Sequence, residues 1–159
     1  MRRARAAAGS LVFLLVAPGV VAGLVPYWLT GWDSDDPPLV LVVAGAVLVV
    51  AGAAVLLHAF ARFVFEGIGT PAPVAPTDRL VVGGAYRYVR NPMYLAVGSV
   101  IAGQALLLGR PVLFAWLAIF ALLVGAFVHV YEEPTLAARY GEPYDEYRRR
   151  VPRWLPRMR

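Results

Sequence analysis

Residues 39–65 read LVLVVAGAVLVVAGAAVLLHAFARFVF, and the first formal charge in that run is Arg62. An α-helix rises 1.5 Å per residue, so this stretch reaches about 40 Å, more than the ~30 Å hydrocarbon core of a bilayer. A helix of this composition is stable only where its surroundings are themselves apolar, which predicts a membrane span. Gly45, Gly52, Ala53 and Ala54 interrupt the large side chains and offer places where a second helix can approach closely. His58, Arg62 and Glu66 fall in the last turns, so that end is expected to protrude into water.

The same reading extends in both directions. Residues 10–30 form a second apolar run, preceded by Arg2, Arg3 and Arg5 and followed by Tyr27, Trp28 and Trp32. Aromatic residues in that position mark a membrane interface. A basic start before an apolar stretch also resembles a secretory signal, but the run is long for one and no cleavage site of the small-x-small kind follows. It is read as a retained helix. Residues 92–108 form a rather short span. Gly109-Arg110-Pro111 is a tight turn, and residues 112–130 are the next span, antiparallel to the one before. Gly98, Gly103 and Gly125 are assigned to close helix packing, like the small residues of 39–65. The fold class expected is all-α: a polytopic membrane protein of about four transmembrane helices with a C-terminal amphipathic helical tail. The chain is read as one domain, 1–159. A polar connection, 67–90, joins the second and third spans, and a polar tail, 131–159, is broken by Pro143 and ended near Pro152.

Composition supports this. Hydrophobic residues make up 60% of the 159 and charged residues 16%, against about 25% charged in a soluble domain. All 15 basic residues are arginine, and the net charge is +5. Fourteen of them lie in the N-terminus, at the end of the second span, in the 67–90 connection or in the tail. Arg110 and three aspartates (Asp33, Asp35, Asp36) occupy the two short turns on the other side. The positive-inside rule then puts both termini and the long connection in the cytoplasm, in a multi-pass protein of the cell membrane. Arginines that flank apolar segments do not form a stripe for nucleic acid, so no nucleic-acid partner is expected. The partner implied is the lipid bilayer, and the oligomeric state is not legible.

Several chemistries are excluded outright. With no cysteine there is no disulfide, thiolate site or cysteine nucleophile. Two histidines, His58 and His129, are too few for a histidine-based metal centre, and no metal is expected. No lysine means no P-loop lysine, and there is no G-x-S-x-G elbow. What remains clusters near the polar side of the spans. Asn91-Pro92 suits a helix start, Asn as N-cap and Pro in the first turn, with free N–H groups able to attract an anion such as a carboxylate. Glu132-Glu133 follows the fourth apolar run, on the same side. A carboxylate there suits an ammonium group, or is merely a charged flank. Tyrosines 86, 88, 94, 131, 140, 144 and 147 surround both, as interfacial side chains or as faces for a cationic or aromatic ligand. Arginines around Trp154 and Leu155 in the tail are read as a membrane-surface anchor, each attracted to anionic headgroups by about 1 kcal/mol.

Residues 80–94, LVVGGAYRYVRNPMY, resemble the signature G-x-Y-x-x-x-R-[HN]-P-x-Y of the isoprenylcysteine carboxyl methyltransferase family and its phospholipid-methyltransferase-like bacterial relatives. A second block of that family is matched by Glu132-Glu133, Leu136, Tyr140-Gly141, Tyr144, Tyr147, Val151-Pro152 and Pro156. The resemblance covers roughly Gly67 to Pro156. It implies a methyltransferase using S-adenosylmethionine, with S-adenosylhomocysteine as product, acting on a lipophilic small molecule or lipid. Cofactor contacts are implied for Asp78, Arg79, Leu80, Val81, Tyr86, Asn91, Pro92, Met93, Tyr94 and Glu132. The tail is expected to close over the pocket, packed down by Tyr144 and Tyr147. Glu132 and His129 are the candidate catalytic residues. Animal prenylcysteine enzymes carry a substrate-contacting arginine about a turn before the acid pair. Phe127-Val128-His129-Val130 has none, and His129 stands in its place as a polar group or proton acceptor. Whether oxygen, nitrogen or sulfur accepts the methyl group is open. The competing class is a small transporter or a non-catalytic membrane scaffold of the same fold. Transport would want an ionisable residue inside a span; the first, third and fourth spans have none near mid-depth.

Overall fold

The computed structural model of the chain describes residues 2–67 and 79–156, and all regular structure among them is helical. Helix α1 covers 2–30, as Arg2–Gly19, a π-helical turn Val20–Leu24, and Val25–Thr30. Helix α2 is Leu39–Arg62 and runs on through a π-helical turn Phe63–Gly67. A short 3₁₀ turn, Gly84–Arg87, leads to α3, Pro92–Leu108. Helix α4 covers 112–140, as Val112–Phe127, a π-helical turn Val128–Glu132, and Glu133–Tyr140. Helix α5 is Glu142–Arg150.

Among the described residues, three helices are long and apolar enough to cross a membrane: Ala8–Thr30, Leu39–Glu66 and Val112–Tyr140. Their outer faces carry large apolar side chains that water would not tolerate, such as Leu122 at 75% exposure, Val40 at 72% and Val50 at 69%. Helix α3 has 17 residues, about 25 Å, somewhat less than a bilayer core. It is instead the centre of the bundle, with Pro92, Ala96, Val97, Ile101, Gly103, Ala105 and Leu108 buried.

The α2–α3 seam is set by glycine. A Cβ at Gly45 would lie 2.5 Å from the Gly103 carbonyl oxygen and 2.6 Å from Leu107 N. One at Gly103 would lie 2.7 Å from Gly45 O, and one at Gly52 2.8 Å from Ala96 O. The backbones therefore touch, and Leu56, Phe60, Ala96, Val97 and Ile101 close the core beneath, with Phe13, Trp116 and Phe120 packed against it from α1 and α4. Gly125, expected to serve the same purpose, faces open space, and Ala54 is exposed. Two of the small-residue assignments thus fall on the outer surface.

Two π-turns precede prolines in the same way. Val25 N–H reaches Val20 O, and Pro26 follows; Glu133 N–H reaches Val128 O, and Pro134 follows. A proline ring clashes with the carbonyl four residues back and removes a donor. Widening the preceding turn by one residue relieves the clash and leaves carbonyls without intrahelical partners. In α1 those carbonyls are taken by side chains: Gln104 Nε2 donates to Ala22 O at 2.7 Å, and Trp116 Nε1 to Val21 O at 2.9 Å. Both donors come from neighbouring helices, which is how a broken helix stays satisfied in lipid. Gln104 Oε1 also accepts from Trp32 Nε1 at 3.2 Å.

The two short turns meet at one end of the bundle. Arg110 Nη1 pairs with Asp35 Oδ1 at 3.0 Å, and Asp35 N donates to Leu108 O at 2.9 Å. Gly109, at φ +65°, ends α3 in the left-handed conformation that side chains avoid, with Pro37 packed against it. Asp33 and Asp36 lie in the same turn as Asp35, and the other end carries the charged side chains Arg90, Glu132, Glu133 and Arg139.

The α4 boundary differs from expectation. The span expected at 112–130 continues unbroken to Tyr140, so the acid pair lies within the helix and not beyond it. The charges of Glu132 and Glu133 marked an end by composition. The π-turn instead carries the helix past Pro134, and Glu133 is buried there against arginines.

Gly103→Ala is expected to destabilise the protein in detergent by about 2 kcal/mol, since overpacking against backbone has no flexible neighbour to yield. Gly125→Ala should be silent within error. Denaturant titration followed by helical circular dichroism distinguishes them. In the same assay Gln104→Leu should cost about 1 kcal/mol, in the range of interhelical hydrogen bonds in membrane proteins.

Candidate functional site

A cavity of about 230 Å³ opens at the charged end of the bundle. Its floor and walls come from every long helix. Helix α1 contributes Phe13, the end of α2 contributes Phe63, and the segment before α3 contributes Leu80, Val81 and Tyr86. The start of α3 adds Arg90, Asn91, Met93 and Tyr94. Helix α4 adds Phe127, Tyr131, Glu132, Glu133, Thr135, Leu136, Arg139 and Tyr140, and α5 adds Tyr144 and Tyr147.

The segment 79–91 is pinned to α2. Gly83 N donates to Glu66 Oε2 at 3.2 Å, and Glu66 is paired with Arg62 at 2.5 Å. Val81 and Tyr86 are buried against Ala59, and the Tyr86 ring meets Phe63 edge-on at 5.6 Å. The hydroxyl of Tyr147 donates to Tyr86 O at 2.7 Å, tying α5 to the same segment.

The central polar contact joins the two sequence blocks. The Tyr94 hydroxyl donates to Glu132 Oε2 at 2.8 Å, and both line the cavity. The start of α3 and the acid pair of α4 thus converge on one face. The pair itself divides. Both carboxylates line the cavity, but Glu133, 7% exposed, is engaged by Arg90 and Arg153, whereas Glu132 has a phenol as its partner.

Asn91 does not act as expected. Its side chain makes no cap hydrogen bond; Nδ2 donates instead to Arg153 O at 3.2 Å. Of the residues singled out beforehand, Leu80, Val81, Tyr86, Asn91, Met93, Tyr94 and Glu132 line the cavity. Pro92 is buried at the start of α3 but does not line it, and Arg79 is exposed and apart from it. Asp78 lies outside the described residues. His129 is exposed and is not among the lining residues, because Val128, its neighbour in the π-turn, takes the inward position. A proton-accepting role for it at this cavity has no geometric support. The tail is not simply a surface anchor either: Arg153 turns inward, and the Trp154 ring lies 6.5 Å from that of Tyr94.

Of the residues that sequence reasoning passed over, Thr135 and Arg139 were legible in principle. Glu132, Thr135, Leu136, Arg139 and Tyr140 follow the spacing i, i+3, i+4, i+7, i+8, one face of a helix. Ending the helix at Val130 hid that periodicity. Phe13 and Phe63 carry no comparable signal, since any aromatic residue in an apolar span reads as packing.

The site therefore defines a class: an all-α membrane protein whose bundle holds an aromatic cavity, lined by an acid pair of which Glu132 is bound by a phenol, at its charged end. Residues 40–143 match the phospholipid methyltransferase family, and the chain belongs to that family. A protein-S-isoprenylcysteine O-methyltransferase of Schizosaccharomyces pombe is 34% identical over 80 residues, 48% of this chain and 33% of the relative. The chain thus spans about a third of that relative's length. An uncharacterized protein of Haemophilus influenzae is 32% identical over 63 residues, 40% of this chain and its own entire length. No solved structure matches. The resemblance read from the two motif blocks is borne out.

Burial holds the phenols of Tyr86, Tyr144 and Tyr147 above their ordinary value of 10.0, with the charge of Glu132 adding to the effect at Tyr86 and that of Glu133 at Tyr144. Their neutral forms are the ones the fold favours. The stability they contribute is complete below pH 10 and is lost as pH rises beyond it toward the raised values. Absorbance at 295 nm should show these three ionising late, together with loss of helical packing. Reversible titration of all tyrosines near pH 10 in the folded protein would contradict the burial.

Proposed function

We propose that the protein transfers a methyl group from S-adenosylmethionine to a lipophilic acceptor at the membrane surface, leaving S-adenosylhomocysteine. The observation that carries this reading is the Tyr94–Glu132 contact, which joins the two family blocks across one aromatic cavity.

The residues present suit that cofactor. Glu132 offers a carboxylate to an ammonium group, and Tyr94 holds its other oxygen side in place. The N–H groups at the start of α3, around Asn91, Met93 and Tyr94, suit a carboxylate. Tyr86, Tyr131 and Tyr140 supply aromatic faces for a cationic sulfur and a flat ring. Leu80, Val81 and Met93 give apolar wall. Asp78, Arg79 and Pro92 enter this reading through the family resemblance alone. When bound, S-adenosylmethionine supplies an activated electrophilic methyl group. What remains for the chain is to orient donor and acceptor in line and to exclude water, and orientation can supply several kcal/mol.

Phe13 and Phe127 bring apolar surface from α1 and α4 to the same cavity. They suit an acceptor that arrives from the bilayer between these helices, while a water-soluble cofactor arrives from the charged end. The acceptor atom is oxygen, nitrogen or sulfur. The arginine distribution supports a cytoplasmic charged end and cytoplasmic termini in the cell membrane, with 1–159 acting as one domain.

Isothermal titration of detergent-purified protein with S-adenosylhomocysteine tests this. Wild type should bind. Glu132→Ala should abolish binding, and Tyr94→Phe should weaken it about tenfold by releasing the carboxylate. Folded wild type that does not bind would favour a transporter or a scaffold that kept the fold.

A further inference from the structure

The second glutamate of the acid pair is committed elsewhere, and its partners draw three distant chain segments together. Arg153 meets Glu133 as a fork, Nε donating to Oε1 at 2.9 Å and Nη2 to Oε2 at 2.6 Å. From the other side Arg90 Nη1 lies 2.9 Å from Oε1, an ion pair without the alignment of a hydrogen bond. Two parallel N–H···O⁻ bonds fix direction as well as distance. The backbone repeats the attachment: Arg90 N donates to Pro152 O at 2.9 Å, and Asn91 Nδ2 donates to Arg153 O. Residues 151–154 therefore lie across the chain immediately before α3, with Val151 and Tyr144 buried beneath. Trp154, the last of these, rests against Tyr94, whose hydroxyl holds Glu132.

We infer that Glu133 is a positioning residue: its carboxylate clasps Arg153 and Arg90, so that the 151–154 strap holds Tyr94 against Glu132 and covers the start of α3. The burial of Glu133 explains why it keeps cationic partners, since a lone buried carboxylate is costly, and the fork of Arg153 supplies the hydrogen bonds that Arg90, not aligned for one, does not. The clasp is also reversible in kind, since Arg153 keeps 35% of its side chain exposed while Arg90 keeps 11%. Arg153 is the side that can release, and Arg90 the side that stays. The strap thus provides a closure for ligand passage at the charged end; only this last step rests on the methyl-donor reading above.

The chain has no cysteine, so a single Leu155→Cys substitution, at a position 79% exposed, takes a nitroxide label without further change. Spectra of the ligand-free full chain in detergent report the strap directly. In the otherwise native sequence the label should show the slow motion of an ordered segment. Arg153→Ala, which leaves the Arg90–Glu133 pair in place, should convert most of the signal to a fast component, and Arg153→Lys should restore most of the order. Glu133→Gln should match Arg153→Ala if it folds. In unlabelled protein Arg153→Ala should weaken S-adenosylhomocysteine binding at least fivefold and raise KM for the methyl donor more than it lowers kcat, with Arg153→Lys in between. A label equally ordered in Arg153→Ala would overturn the clasp. Loosening with affinity unchanged within twofold would reduce it to a tail anchor and overturn the positioning role. If wild type binds no S-adenosylhomocysteine, the methyl-donor reading fails while the label still decides the clasp.

Discussion

The backbone contact between α2 and α3 at Gly45 and Gly103 is the constraint against which the rest is arranged. Within lipid no apolar-to-water transfer drives two helices together, so close van der Waals approach and interhelical hydrogen bonds must do so. Here the closeness is extreme, with carbonyl oxygens standing where side chains would be. It seats α3 in the middle of the bundle although α3 is the shortest of the four. From that seat α3 presents Gln104 to the broken turn of α1 and Tyr94 to α4.

The π-turns of α1 and α4 each precede a proline, whereas the one that ends α2 does not. In α1 the wide turn exposes carbonyls, and the molecule uses them as acceptors for Gln104 and Trp116. In α4 the wide turn keeps the helix going past Pro134 and sets Glu132 and Glu133 toward different partners. One carboxylate faces a phenol; the next faces two arginines. Adjacent acids on a helix point about 100° apart, so a single pair can meet a phenol on one side and two arginines on the other. The charge ledger of this end closes locally: the described arginines nearest the cavity are engaged by glutamate or, for Arg139, by the Tyr140 ring at 5.7 Å.

Membership in the phospholipid methyltransferase family and the geometry reinforce each other, since both motif blocks send residues into the cavity, among them Tyr86, Asn91 and Tyr94 from the first and Glu132, Leu136 and Tyr144 from the second. The departures carry equal information. His129 is exposed and does not line the cavity. Asn91 spends its amide on the tail, not on a helix cap.

Apolar runs longer than a bilayer and two spaced motif blocks determined, from the sequence alone, a helical membrane bundle and its family. These signals are local or compositional, and a linear reading captures them. Only the tertiary structure decided that α4 continues to Tyr140, that Glu132 and Glu133 part company, that Gly125 packs on nothing while Gly45 touches backbone, and that Arg153 clasps Glu133. Each depends on which neighbour fills a face or accepts a bond, and no neighbour 20 to 80 residues away is written into the local pattern.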